Sequence, residues 1–432
     1  MVLAEPTSSS GPLVEASRGG PAGSDRTRVA VLLVIVAVVV LSFVRVATGT
    51  IGLTSSGTFG AALRLAVPIL LAGLGAVYAE RAGIVNIGLE GMMILGTWFG
   101  AWAGVEFGPW QGAAFGVIGG ALGGLLHAVA TVTFGIDHVV SGVAINILAA
   151  GVARFLSVIA FTGQGGGATQ SPQVQGSVGS FSVPFLAGGQ ILGWQSPDLF
   201  GWLERQQWFL VSDVGALVKG LTGSLSWLTV IAFVLVPISF WVLWKTAFGL
   251  RLRSVGEHPL AAESLGVRVY LMKYVGVVLS GGLAGLGGAF LVLEAAGIYR
   301  EGQTAGRGFI GLAALIFGNW RPGGVLGAAG LFGYADGLKL RGAEHALLLL
   351  AAVLLFLGAL WVVLRRRQRW SAAVLVGSSA VFLWWWVVTD TVPREFVFFL
   401  PHITTLLVLS LASQRLRPPA ADGVPYRKGQ AL

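Results

Sequence analysis

Long apolar runs separated by short polar breaks set the pattern of this chain. A helix needs about 20 apolar residues to cross the hydrocarbon core of a bilayer. Runs of that kind occupy 29–44, 59–78, 84–107, 111–134, 139–161, 225–244 and 274–298, and each predicts a spanning helix. The next run, 309–317, is too short to cross alone. It breaks at Gly318-Asn319-Trp320-Arg321-Pro322 and resumes over 324–340. Such a pair reads as a broken or re-entrant helix, which membranes tolerate inside protein or along an aqueous path. Further runs at 346–364, 372–388 and 396–411 complete the series. The 29–44 run exceeds the 7–15 residues of a secretory h-region and is followed by Arg45, so it is expected to stay as the first span. The pattern predicts an all-α polytopic membrane protein with about 10–12 transmembrane or re-entrant helices.

The polar breaks orient these helices. Residues 1–28 are rich in Ser, Gly and Pro and are expected to form a disordered cytoplasmic tail. Residues 162–223 hold no run long enough to span. They read as an extracytoplasmic loop with short interfacial helices near Trp202 and Trp208. Residues 245–273 carry Lys245, Arg251, Arg253, Arg268 and Lys273 against Glu257 and Glu263. That excess of basic residues marks a cytoplasmic loop. Arg365, Arg366, Arg367 and Arg369, and then Arg415, Arg417, Arg427 and Lys428, fall on the same side if both termini are cytoplasmic. Span count and charge bias therefore agree.

Composition sharpens the picture. Only 11% of residues are charged and 55% are apolar, whereas a soluble domain carries about 25% charged residues. Most of the surface must therefore face lipid or other helices, so a multi-pass membrane protein is expected. There are no cysteines, which excludes disulfides, cysteine metal sites and thiol nucleophiles. The net charge of +9 sits at the ends of apolar runs and gives no basic face for nucleic acid. No G-x-x-x-x-G-K-[ST] is present, so no ATPase lies in this chain. The glycine run 281–288 lies in a span without flanking strands and reads as helix packing. There is no H-E-x-x-H, and the five histidines are scattered, so no metal site or other cofactor is expected.

One stretch inside the apolar pattern breaks its rules. Residues 80–96 carry Glu80, Arg81, Asn86 and Glu90 among Gly83, Gly88, Gly91 and Gly96. A charge at mid-bilayer costs about 2.5–3.5 kcal/mol on insertion scales, so it belongs in a bundle interior or beside a cavity. The stretch reads as the wall of a pathway for a polar solute. Candidate pathway residues are Asn86, Glu90, Asn146 and Asn319, whose side chains replace water's hydrogen bonds, and Trp98 and Trp320, whose flat rings offer stacking faces. Asn86 and Glu90 share a face if the segment is helical. Competing roles are interhelical ties for the asparagines, an ion pair to Arg81 or Arg154 for Glu90, and anchoring or packing for the tryptophans.

Three segments, 80–91 (ERAGIVNIGLEG), 249–267 (GLRLRSVGEHPLAAESLGV) and 306–322 (GRGFIGLAALIFGNWRP), carry a resemblance. In this order and spacing the chain resembles the permease subunit of nucleoside and simple-sugar ABC importers. These form part of a wider family that also serves branched-chain amino acids and ribose-type sugars. The likeness covers 59–342 and resumes at 401–429. It implies a permease core at 29–342 and a final span with basic tail at 393–432, with 343–392 as an inserted two-helix hairpin. The short segment from Gly256 to Gly266 is flanked by glycines, and Pro259 suits a first helical turn. Its residues alone fit either an amphipathic surface loop or a docking helix. The resemblance implies an ATPase-coupling helix built from Gly256, Glu257, His258, Pro259, Ala261, Ala262, Glu263, Leu265 and Gly266. It also implies a separate cytoplasmic ABC ATPase, a second permease subunit (a heterodimer rather than a homodimer) and an extracytoplasmic substrate-binding lipoprotein. The cargo stays open among nucleosides, ribose-like sugars and other small polar solutes. The rival reading is an ion-coupled secondary transporter using the intramembrane carboxylates Glu90, Glu294 and Asp336.

Overall fold

The computed structural model describes residues 22–165, 167–191, 193–340, 344–366, 369–389 and 416–428. The expected final span at 396–411, Arg367, Arg415 and residues 1–21 of the polar tail lie outside them. The described chain is predominantly helical, with two strand pairs of two residues each. Its helices are α1 (Ala22–Thr48), α2 (Ser56–Arg81), α3 (Leu89–Phe107), α4 (Pro109–Ala128) and α5 (His138–Phe161). After the long polar segment come α6 (Leu199–Arg205), α7 (Val211–Thr222), α8 (Trp227–Lys245), α9 (Ala247–Glu257) and α10 (Pro259–Ser264). The series closes with α11 (Val269–Phe290), α12 (Arg307–Phe317), α13 (Pro322–Lys339), α14 (Glu344–Arg366) and α15 (Arg369–Val388). Among the described residues, six helices are long and apolar enough to cross a membrane. This is the all-α polytopic membrane architecture the apolar runs predicted.

α2 is the axis of the bundle. Every residue from Ala66 to Glu80 is buried, against α11 on one side and α12 and α13 on the other. Its start is set by Ser55, whose Oγ accepts the Thr58 amide at 3.2 Å. Helices α3, α4 and α11 approach so closely that side chains are excluded between them. A Cβ on Gly96 would lie 2.2 Å from the Gly285 carbonyl oxygen, and one on Gly120 would lie 2.2 Å from that of Gly281. Where lipid is as apolar as leucine, dispersion across such close backbones drives helix association.

Three departures from the sequence pattern have local causes. The 84–107 run does not begin as helix. Gly83 takes φ +78° and ends α2 in a left-handed turn, so α3 starts only at Leu89. The basic loop 245–273 contains an additional helix, α9, whose Leu252 and Val255 are buried while Arg251 stays in solvent. The first helix starts at Ala22, ahead of the apolar run that begins at 29.

The long polar segment is folded down onto the bundle by charge. Asp213 of α7 is 2% exposed and lies 2.8 Å from Nε of Arg45 on α1. The same carboxylate accepts the Ser42 hydroxyl at 2.5 Å and the hydroxyl of Thr54. Burying a carboxylate is tolerated only with such a complete set of partners. The hairpin α14–α15 packs on α1 through Ala346, Leu347 and Leu349 against Val40 and Val44.

Candidate functional site

The 80–96 stretch is a helix end, a glycine turn and a helix start, and it organises two polar clusters. The first surrounds the start of α3. Glu90 is 7% exposed, and all its partners are donors. Oε1 accepts the Thr304 hydroxyl at 2.6 Å and the Gly306 amide at 2.9 Å, while Oε2 accepts the Gly308 amide at 2.7 Å. Residues 306–308 open α12, so a side chain of α3 caps a helix that is remote in sequence. The carboxylate faces the positive end of that helix dipole. The fit leaves no room for a side chain at 308, since a Cβ there would meet the Glu90 backbone at 2.5 Å.

Asn86 and Asn146 tie the same turn to its neighbours. Asn86 is fully buried and donates to the Ser280 hydroxyl of α11 at 2.9 Å. Its Oδ1 has no hydrogen-bond partner among the described residues. Asn146 of α5 accepts the Gly91 amide at 2.7 Å and donates to the Ile87 carbonyl at 3.1 Å. Trp98 is 5% exposed, donates to Ser157 at 3.1 Å, and stacks on Trp102 at a centroid distance of 6.3 Å. Asn86, Glu90 and Asn146 are thus brought together, and Trp98 lies farther along α3.

The second cluster lies at the end of α2 and contains the other two candidates. Asn319 and Trp320, with φ 51° and 55°, both hold the left-handed region in the α12–α13 break. Non-glycine residues there are strained and need neighbours that impose the turn. Those neighbours are present. Glu80 accepts Trp320 Nε1 at 2.5 Å. Arg81 Nη2 donates to the Trp320 carbonyl at 3.0 Å, and the Arg417 amide donates to Asn319 Oδ1 at 2.8 Å. The Arg81 guanidinium also lies 5.5 Å from the centre of the Trp244 ring of α8. An ion pair of 3.7 Å joins it to Glu257 of α9, so Arg81 and Glu90 have separate partners.

The coupling candidates sit beside this second cluster. α10 is six residues long, starts at Pro259, and ends before Gly266, whose φ is +80°. Ala262 alone of α10 is fully buried, in a small apolar cluster with Val255 and Val269. Ala261, Glu257, His258 and Gly266 are exposed, Pro259 and Glu263 are half-buried, and Leu265 is 84% exposed. Gly256 is packed within α9, where a Cβ would meet the Arg81 carbonyl at 2.3 Å. It provides close approach at that end of the segment, and Gly266 provides the turn.

Sequence reasoning missed several members of these clusters. Lys273 donates to the Gly83 carbonyl at 3.2 Å. The carboxyl group of Asp422, in the C-terminal segment, is set against that of Glu80. Burial pushes the Asp422 carboxyl up to about 6, against the opposing pull of Glu80, Lys273, the Gly423 amide and Arg81. A sequence signal did exist, since Asp422-Gly423 flanked by Pro419 and Pro425 is a turn signature in an otherwise basic tail.

The family described as branched-chain amino acid transport system permease component matches residues 58–363. The guanosine ABC transporter permease protein NupQ of Bacillus subtilis (strain 168) is 33% identical over 377 residues, covering 86% of this chain and 96% of its own. The nucleoside ABC transporter permease protein NupC of Lactococcus lactis is 32% identical over 84% of this chain and 94% of its own. The putative glucose ABC transporter permease protein TsgC13 of Haloferax volcanii is 30% identical over 68% of this chain and 80% of its own. In the first two organisms a second ABC permease protein also matches, each 24% identical. No solved structure gives a significant match to the chain.

Proposed function

The chain belongs to the family of branched-chain amino acid transport system permease components, and from that premise we propose that it carries nucleosides inward across the plasma membrane, with related sugars as the alternative cargo class. In this reading α9–α10 faces the cytoplasm and α10 docks on a separate ABC ATPase. A second, related permease completes the pore, as the paired relatives suggest. An extracytoplasmic binding lipoprotein delivers the cargo.

The observation that carries the coupling reading is the surface of α10. Leu265, an apolar side chain 84% exposed, and the exposed Ala261 one helical turn before it leave this face of the loop open to a protein contact. Beneath it, Ala262 packs on Val255 of α9, and Gly256 of α9 lies against the Arg81 carbonyl at the end of α2. A movement of α10 therefore reaches the Glu80–Gly96 stretch through packed backbone.

Of the pathway candidates, Asn146 on α5 and Asn319 in the α12–α13 break are half-buried, and in this reading they meet cargo. The buried Asn86, Glu90, Trp98 and Trp320 shape the wall from behind. A secondary transporter is not favoured. The relatives are ABC permeases, Glu90 is engaged as a cap, and Asp336 is paired with Lys339 at 2.7 Å.

Two measurements test the reading. Uptake of a radiolabelled nucleoside panel is expected to disappear when this gene is deleted and to return with it. A Leu265→Cys chain, otherwise free of cysteine, is expected to cross-link to the ATPase. Ion-driven uptake without any ATPase would overturn the proposal.

A further inference from the structure

The C-terminal segment 416–428 has no regular secondary structure, yet it is tied to four separate elements. At the α12–α13 break the Arg417 amide donates to Asn319 Oδ1 at 2.8 Å. At the end of α9 the Ala421 amide donates to the Gly256 carbonyl at 2.9 Å, and the Ala420 amide to Glu257 at 3.2 Å. At the end of α2 Asp422 lies against Glu80, and the Ala421 carbonyl lies over Gly83, 3.1 Å from where a Cβ would stand. At α10 and the start of α11, the Tyr426 hydroxyl donates to Glu263 and its ring packs against Tyr270 at 5.6 Å.

These contacts matter because α10 is poorly held by itself. A helix of six residues is too short to persist on its own propensity. Its single fully buried side chain, Ala262, offers one methyl group to the cluster of Val255 and Val269. The Tyr426 ring is the further contribution to that cluster from outside the 245–273 loop. Pro418, Pro419 and Pro425 stiffen the segment and lower the entropy lost when it docks. The path from α10 to the strained Asn319–Trp320 turn therefore runs in part through this segment.

We propose that residues 416–428 form a strap that positions the coupling helix: it holds α9–α10 in fixed register with the end of α2 and the α12–α13 break, so that a displacement of α10 is delivered to both. The inference rests on the reading of α10 as the ATPase contact. The strap stays closed through the cycle and acts as part of the transmission. Tyr426 seats α10 with its ring, Arg417 and Asn319 join the strap to the break, and Ala421 joins it to α9.

The test uses the full complex of both permeases and the ATPase in proteoliposomes, with cargo uptake measured per ATP hydrolysed. A chain ending at Arg415, and separately Tyr426→Ser, are expected to assemble with the ATPase and keep its basal hydrolysis within about twofold. Uptake per ATP is expected to fall at least tenfold. Tyr426→Phe, which keeps the ring, is expected to retain at least half. A merely structural segment would lower the amount of assembled complex without changing this ratio. If the truncated chain fails to assemble, the Tyr426 pair decides. Unchanged coupling in Tyr426→Ser overturns the strap. Failure of Leu265→Cys to reach the ATPase would instead overturn the docking reading beneath it, so the two failures are distinguishable.

Discussion

Glu90 offers the sharpest test of how the wall of the pathway is built. Replacing it with Gln keeps size and one acceptor oxygen but turns the other oxygen into an NH2 group. Oε1 serves two donors, Thr304 and Gly306, and Oε2 serves the Gly308 amide at 2.7 Å. The least costly orientation leaves the carbonyl with the first pair and faces the new NH2 toward the Gly308 N–H. One charge-assisted bond is lost and a buried amide is left unsatisfied, a cost of about 2–3 kcal/mol. Loss of the favourable charge at the α12 N-terminus adds about 0.3–1 kcal/mol. Glu90→Ala strips all three donors and costs more, about 3–6 kcal/mol by the same reckoning. At roughly 2 °C per kcal/mol for a large chain, Glu90→Gln is expected to lower the melting temperature of the purified permease complex by about 5–8 °C. Fluorescence-detected size exclusion after heating measures it. The remaining folded Glu90→Gln complex is expected to transport cargo with unchanged affinity, because Gln still shapes the wall. A melting temperature equal to wild type together with weakened cargo affinity would refute the capping argument and make Glu90 a direct cargo contact.

Four further outcomes follow from other contacts. Asp213→Asn leaves Arg45 buried without its counter-charge, a loss of about 3–5 kcal/mol, and is expected to collapse yield of the folded complex in detergent. Gly96→Val drives a side chain into the Gly285 backbone and is expected to cost at least about 1–3 kcal/mol, read as lower expression and melting temperature. Leu265→Asp is expected to abolish uptake while leaving the melting temperature within about 1 °C, since the side chain is 84% exposed and exposed substitutions cost within about 0.5 kcal/mol. The docked strap raises the Asp422 carboxyl to about 6, so it favours the protonated form. Its contribution is full below the ordinary carboxylate value of about 3.9 and is lost as pH rises through 6, a span of at most about 3 kcal/mol. Glu80 and Arg81 of α2, Lys273 of α11 and Glu257 of α9 are the charges around it. The protection factors of the 416–428 amides, taken against the intrinsic exchange rate at each pH, are expected to fall from pH 5 to 7.5 in wild type and to stay constant in Asp422→Asn.

The apolar pattern carried the architecture because bilayer thickness leaves few alternatives for a 20-residue apolar run. The broken pair around Gly318–Pro322 was legible for the same reason, since neither half is long enough alone. Helix α9 was not, because its amphipathic FGLRLRSVGE reads equally as a surface loop until its buried Leu252 packs beside Gly276 in the first half of α11. The candidate site was legible in its residue types but not in its geometry. Asn86 and Glu90 stand four apart, and helical spacing would put them on one face. Gly83 breaks the helix between α2 and α3, so Asn86 turns to Ser280 of α11 while Glu90 turns to the start of α12. Their pairing in sequence was real; the faces they serve were decided by one left-handed residue.

That same residue explains why the second cluster could not be read from local pattern. Gly83 admits the Ala421 carbonyl, the Lys273 ammonium group and the Gly256 backbone within 3.1–3.3 Å of the place a Cβ would occupy. Three segments that are remote in sequence thus converge where one side chain is missing. A stretch with Glu80, Arg81 and Trp320 around such a point looks, one residue at a time, like scattered polar defects in apolar helices. Together they hold Asn319 and Trp320 in a conformation neither residue adopts unaided. A turn held by outside contacts changes when those contacts move. α9, α10 and the C-terminal segment supply several of them, and in the proposed orientation these lie on the side where the ATPase would bind. In that orientation a push on α10 would reach the strained break through these contacts.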